Sequence, residues 1–397
     1  LFFQRPQRIP DRDSAIRGPA LDILKDTPSG VYVHVPFCIG KCNYCSFYSV
    51  SADADIRTRF SKALLSELRR VKGRTIRTIY AGGGTPTLLP PSFWSEFFTT
   101  LSALSDTSEV KECTIETNPG AVTERELITL RQAGFNRLSI GVQSFKDTLL
   151  ETLGRVHSSD QAVATYRSAG KAGFRNISID LMYGVPGQTL KEWIKDLEHI
   201  EEISPEHVSC YDLSVNSGTP IFKSISAGVL TKPDEEACRD MYFAADEFLT
   251  RKGYLHYEVS NYAREKDLIS MHNSSYWNRT PYIGFGPSAH SFDGRATRSW
   301  NVSSIEKYLD SIENGQLSTA DSEVITKEQT ALEMVMLGLR RSAGIDLKRV
   351  QTETGITIDR EYMNSMIKSN RARLSGTKLV PTAEGMLYAD GDSVNLI

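Results

Sequence analysis

Residues 31–49, VYVHVPFCIGKCNYCSFYS, carry three cysteines, Cys38, Cys42 and Cys45, in a C-x3-C-x2-C spacing. A loop this short closes too tightly for a disulfide framework, so the thiols read as metal ligands. Three thiolates can hold three irons of a cubane 4Fe-4S cluster, and complete cysteine ligation would need a fourth that the loop lacks. One iron is then open to a small molecule. Two other readings stand beside this one. Structural zinc would want a fourth Cys or His, such as His34, and a group of inert buried cysteines would need no metal at all.

Residues able to surround such a cluster recur downstream at regular places. Short β-branched runs fall at 31–35, 78–82, 113–117, 137–143, 176–184 and 207–213, and segments of helical period such as 58–71 and 190–203 lie between them. Strands alternating with helices predict a parallel sheet, because parallel neighbours need a crossover. Thr123 with Glu126, and Thr189 with Glu192, spell capping boxes at two helix starts. In barrels built this way the chemistry sits at the carboxyl ends of the strands. There the first run leads into the cysteine loop, and the second into Gly82-Gly83-Gly84-Thr85-Pro86, where glycine lets backbone approach a ligand closely. The third ends in Glu116-Thr117-Asn118-Pro119 and the fourth in Gly141-Val142-Gln143-Ser144. The fifth carries Asp180 before Gly184-Val185-Pro186-Gly187-Gln188. Carboxylates and amides facing a barrel mouth are costly if unpaired. Ribose hydroxyls and an ammonium group would satisfy them. Any one of these residues could simply cap a helix; five strand ends in a row form a site.

A chain of 397 residues predicts about two domains and an appendage. Its formal net charge of −3 argues against a nucleic-acid binder, which needs a concentrated basic face. No run approaches the ~18 apolar residues of a membrane span. Residues 1–3 are far too short for a signal-peptide core, and Arg5 and Arg8 follow rather than precede them. Six cysteines, three of them in one loop, point to a reducing compartment, with the cytoplasm as default. Cys113, Cys210 and Cys238 read as buried thiols. The stretch 1–29, with Pro6, Pro10, Pro19 and Pro28, reads as an extended arm.

Beyond the sixth run, 234–252 predicts a helix and 254–262 a further strand, followed by His272-Asn273-Ser274-Ser275-Tyr276-Trp277. The periodic stretch 327–341 predicts a core-facing helix. From Gly344 two short helices are expected, then a strand pair at 379–382 and 393–397. Lys and Arg are balanced by Asp and Glu there, so this end reads as structural or as a partner-docking element.

The strings YVHVPFC, GGGTPT, ETNP, RLSIGVQSF, LGRVH, IDLMYGVPGQT, YEVSNYA and HNSSYW resemble the radical S-adenosylmethionine (SAM) superfamily. Within it they are similar to the family of oxygen-independent coproporphyrinogen oxidases and their heme-chaperone, HemW-type relatives. The likeness runs from about residue 31 to the C-terminus. It implies an α/β fold: an arm (1–29), a partial (β/α)6 barrel (30–253), an α+β extension with HNSSYW (254–325) and a small winged-helix-like domain (326–397). It implies a 4Fe-4S cluster on Cys38, Cys42 and Cys45 with SAM on the open iron. There an electron from the cluster splits SAM into methionine and a 5'-deoxyadenosyl radical. Position by position, the resemblance makes Tyr32, Gly83 and Glu116 contacts to that SAM. It makes Tyr44, Gly84, Thr85, Gln143, Arg155 and Asp180 counterparts of residues that hold a second SAM in the oxidase. HNSSYW resembles a motif associated with heme in the chaperones. On that reading His272 is an axial ligand and Tyr276 and Trp277 pack the macrocycle. The alternative is a His272 hydrogen-bonded in an interdomain seam, with the aromatics in the core. His290, in Gly286-Pro287-Ser288-Ala289-His290, is a second imidazole.

The departures from the oxidase decide between functions. Oxidases place one more cysteine two residues beyond the loop, whereas this chain reads Cys45-Ser46-Phe47, as the chaperone type does. The arm is also short for an oxidase, and Ser270-Met271 stand where chaperones often carry Cys-Arg. The expected role is heme binding and transfer to an acceptor protein, with SAM cleavage as a trigger and an electron donor as a further partner. Coproporphyrinogen dehydrogenase and a SAM-dependent methyltransferase are the enzymatic alternatives. Peripheral membrane contact is compatible with these features.

Overall fold

The computed structural model describes residues 29–397, so the expected arm lies outside the described residues except for Ser29, which opens the first strand. Six strands follow the expected runs: β1 (Ser29–Val35), β2 (Ile76–Gly83), β3 (Glu112–Thr117), β4 (Arg137–Gln143), β5 (Ile177–Tyr183) and β6 (His207–Asp212). They lie parallel in chain order. Their apolar positions, among them Val31, Val33, Ile79, Ile115, Ile140 and Leu181, are fully or almost fully buried under the crossover helices. This double-sided burial is why the runs read as nearly continuous apolar stretches. Both expected capping boxes are present, at Thr123 with Glu126 and Thr189 with Glu192. The first helix begins earlier than its hydrophobic period, at Ala54–Glu67, because the Asp53 side chain accepts from the Ile56 N–H and starts it there.

Six further strands complete the sheet: β7 (Leu255–Glu258), β8 (Asn261–Ala263), β9 (Tyr282–Phe285), β10 (His290–Phe292), β11 (Thr297–Asn301) and β12 (Thr319–Val324). They join both edges of the same sheet. β9 pairs parallel to β1, β10 to β12 continue antiparallel outside it, and β8 and β7 run antiparallel beyond β6. The sheet has twelve strands and stays open, with β12 and β7 at its edges. The single strand expected at 254–262 is in fact a hairpin. At its turn the Val259 N–H leaves the sheet to donate to the Arg340 carbonyl, while the Ser260 carbonyl accepts from Cys210 and begins the pairing of β8 with β6.

A second core is built by helix Lys327–Leu339, β13 (Ile345–Asp346), helices Leu347–Thr354 and Arg360–Lys368, β14 (Ala372–Ser375) and β15 (Lys378–Pro381). The three strands form a small antiparallel sheet in the order β13-β15-β14, a winged-helix-like arrangement. One expectation fails here. The partners of the 379–382 strand are β13 and β14, while 393–396 falls in a helix, Ala389–Leu396, whose buried positions Ala389, Asp392, Ser393 and Leu396 follow a helical stripe. Five residues were too few to distinguish the two periods. Glu333 on the Lys327–Leu339 helix pairs with both Arg279 and Arg298, tying this unit to the large sheet.

Candidate cluster and cofactor site

The carboxyl ends of the parallel strands converge on the cysteine loop. The loop is pinned at its base by Val50 N–H to the Pro36 carbonyl (2.7 Å) and Cys38 N–H to the Val50 carbonyl (3.1 Å). The glycine run holds its entry: Gly84 N–H donates to Val35 O (2.8 Å) and Thr85 N–H to Phe37 O (2.7 Å). A Cβ on Gly84 would lie 2.5 Å from Phe37 O and 2.8 Å from Val35 O, so only glycine lets the two backbones meet. On the far side Asn43 donates from its backbone to Leu153 O (2.9 Å) and from its side chain to Thr152 O (3.0 Å).

Arg155 binds the loop to the third and fourth strands. Its guanidinium donates to Cys42 Sγ (3.3 Å), Asn118 Oδ1 (2.6 Å) and Gly141 O (2.6 Å), while Asn118 Nδ2 donates to Thr85 Oγ1 (2.8 Å). Tyr44 lies beside Arg155, close enough for the guanidinium charge to act on its hydroxyl. Among the described residues the buried Arg155 Nε finds no partner, and it belongs to a side chain lining a cleft with Cys42, Thr85, Asn118 and His157. Gln143, at a bulge between β4 and β5, adopts φ 70°, a conformation uncommon for a residue with a side chain. The loop behind it is fixed by Asp196, which accepts from Ser144 Oγ (2.8 Å) and Phe145 N (2.7 Å).

Glu116 is the carboxylate nearest the glycine run. It accepts from Tyr80 Oη (2.6 Å) and from the Gly83 N–H (3.1 Å), and burial pushes its carboxyl up to about 7 against those hydrogen bonds. Asp180 accepts from Ser139 Oγ (2.7 Å) and Ser178 Oγ (3.1 Å). Tyr32 shares a hydrogen bond with His34 Nδ1 (3.1 Å), and His34 Nε2 donates to Tyr48 O (3.0 Å).

That engagement of both His34 nitrogens removes the fourth ligand a structural zinc would have taken. Cys38, Cys42 and Cys45 are free thiols, partly exposed. Among the described residues no three Cys, His, Asp or Glu side chains converge on one metal position. A cubane takes each thiolate to a different iron and does not require such convergence, so the three-thiol loop beside the Arg155 guanidinium fits a cluster. Cys113, Cys210 and Cys238 are buried elsewhere, and burial raises all three thiols, Cys113 to about 12.

His272 does not join this mouth. It sits at the opposite end of the sheet interior, fully buried, with Nδ1 bonded to Thr78 Oγ1 (2.8 Å) and Nε2 to Tyr276 Oη (2.9 Å). Both nitrogens an iron could use are engaged, by partners inside the large sheet and on the histidine's own helix. His290 is exposed at the start of β10, its ring 5.8 Å from that of Trp300. Since β10 returns antiparallel from β9, and β9 lies parallel to β1, His290 stands at the same end as the cysteine loop. Two residues of the site went unread in the sequence. Tyr80 lay inside a strand run, where a tyrosine looks like core, and Asp196 sat on a helix whose apolar stripe masked it.

A family model described as "Radical SAM superfamily" matches residues 32–200, and one described as "HemN C-terminal domain" matches residues 325–388. The chain is 35% identical to a heme chaperone HemW of Bacillus subtilis, covering 83% of this chain and 87% of that one. It is 32% identical to a heme chaperone HemW of Mycobacterium tuberculosis, covering 96% and 97%. A solved structure of Escherichia coli coproporphyrinogen III oxidase (HemN) superposes with a TM-score of 0.80 at 22% identity, over 94% of this chain and 91% of that one, which establishes the fold. The superfamily implies a 4Fe-4S cluster and SAM, and the residues at the sheet mouth fit both. Identities above 30% across most of each chain place this protein in the HemW family of radical SAM proteins.

Proposed function

We propose that this chain binds heme and passes it to an acceptor protein, with a cluster on Cys38, Cys42 and Cys45 and SAM beside it. The observation that carries the reading is the match, along nearly the whole chain, to relatives named heme chaperones. The loop's end at Cys45-Ser46-Phe47, without a further cysteine, supports it. When bound, the cluster and SAM supply one-electron radical chemistry. The chain's own residues bind and orient. Tyr32, Gly83 and Glu116 would meet the first SAM, Glu116 offering an acceptor to its amino group. Tyr44, Gly84, Thr85, Gln143, Arg155 and Asp180 would hold a second, Arg155 facing a carboxylate and Asp180 a ribose. Of the two imidazoles, the exposed His290 beside Trp300 suits an incoming heme better than the sealed His272. No helix among the described residues is long and apolar enough to cross a membrane.

The test is anaerobic reconstitution with iron and sulfide, then titration with heme and, separately, with coproporphyrinogen, SAM and reductant. Stoichiometric heme binding without decarboxylated porphyrin is expected. Turnover of coproporphyrinogen, or no heme binding, would overturn the proposal. Cys42→Ala should lose the brown cluster and keep heme uptake; lost heme uptake would show that the two sites are one.

A further inference from the structure

We infer that His272 is a positioning residue for the cofactor end of the sheet and not a heme ligand: its buried ring supports Tyr80, whose hydroxyl sets the Glu116 carboxylate against the glycine run. The inference rests on the reading that Glu116 meets SAM.

The support is a continuous column inside the sheet. The His272 ring stacks on Tyr80 with centroids 5.2 Å apart and planes at 28°. Tyr80 donates to Glu116 Oε1 at 2.6 Å, and Glu116 Oε2 takes the Gly83 N–H at 3.1 Å. Below, Tyr276 meets His272 edge-on at 5.0 Å and Tyr282 meets Tyr276 edge-on at 4.6 Å. The helix Met271–Trp277 that carries the motif therefore closes the floor of the chamber whose ceiling is the cluster loop.

The floor and the carboxylate are also registered to one another through a single strand. Glu112, four residues before Glu116 on β3, caps this helix by accepting from Met271 N (2.6 Å), His272 N (3.1 Å) and Ser270 Oγ (3.3 Å). Buried Arg137 on β4 lies close enough for its charge to interact with Glu112. Gly30 on β1 leaves room for the ring, since a Cβ there would stand 3.2 Å from His272 Cε1. A ligating imidazole needs one free nitrogen pointing into open space. His272 has neither, and its ring is held on four sides by groups from β1, β2 and its own helix.

The experiment measures SAM affinity of the reconstituted protein by equilibrium dialysis and heme binding by the Soret band, in H272F, H272A, Y80F, E116Q, E116A and the combinations of Y80F and H272A with E116A. H272F keeps an aromatic ring on Tyr80 but cannot bind iron, so the Soret band and heme stoichiometry should match the unsubstituted chain and SAM affinity should stay within about threefold. Y80F, which removes only a hydroxyl and should fold, loses a hydrogen bond to a charged group and should weaken SAM about tenfold. H272A should weaken SAM as well. In the E116A background, where Tyr80 has no side-chain partner left at position 116, neither Y80F nor H272A should add a further loss, which a general loss of structure would do. A shifted or missing Soret band in H272F would overturn the inference. So would a strong loss of SAM binding in E116Q with none in Y80F or H272A. Unchanged SAM affinity in E116Q would instead bring down the reading of Glu116, and the inference with it.

Discussion

Replacing Glu116 by Gln tests the electrostatics of the cofactor chamber before any cofactor enters. Burial raises the Glu116 carboxyl from its ordinary value of 4.5 to about 7, because the desolvation cost of the charged form exceeds what Tyr80 and the Gly83 N–H return. A carboxylate with a raised folded value binds its proton more tightly folded than unfolded. Its contribution to stability is complete below about pH 4.5 and is lost as pH rises through about 7. Relative to a permanently neutral side chain, the charge therefore costs about 1 kcal/mol at about pH 5.5 and about 3 kcal/mol at about pH 8.5. Glutamine can keep both contacts, its carbonyl accepting from Gly83 and its amide donating to the Tyr80 oxygen. Residual solvent contact at Glu116 makes these figures upper values. Anaerobic denaturant titrations of the SAM-free protein and of E116Q across this range should show the variant gaining on the unsubstituted chain by up to about 2 kcal/mol as pH rises. A constant difference at all pH values, or a variant that loses ground at high pH, would refute the reasoning.

Gly84→Ala should prevent cluster reconstitution while leaving the helical content intact, because the new methyl would strike the Phe37 and Val35 carbonyls and push the cysteine loop outward; iron and sulfide content measured beside circular dichroism decides it. Arg155→Lys should destabilise the protein by about 2–4 kcal/mol, since one ammonium cannot reach Cys42, Asn118 and Gly141 together. A melting temperature unchanged in that variant would contradict the bracing role. Glu67, almost fully buried, accepts from Arg70, Gly286, Asn301, Tyr308 and Ser318, so Glu67→Gln turns an amide toward groups that only donate there. A loss of about 2–3 kcal/mol and faster amide exchange at Gly286 are expected, and unaltered exchange would sink this.

The parts readable from the chain alone were those in which local chemistry carries its own signature. Three thiols within eight residues are close enough to serve one metal site, and alternating β-branched runs and helical segments predict a parallel sheet because of the crossover each connection needs. From that sheet it followed that Gly82 to Gly84, Glu116 and Gln143 would stand at one mouth, and the ends of β2, β3 and β4 and the turn after β2 place them there, while Asp180 sits within β5, bonded to Ser139 and Ser178. Residues whose meaning depends on distant partners were not readable. Arg155 could be placed in the site by its motif, but its grip on Cys42, Asn118 and Gly141 exists only once three loops are brought together. Tyr80 and a core tyrosine look the same until Glu116 is seen at its hydroxyl. The pattern HNSSYW could not say which end of the sheet its histidine would occupy. The Glu112 cap and the Thr78 and Tyr276 hydroxyls put His272 under the chamber, because a buried imidazole settles where both its nitrogens find partners.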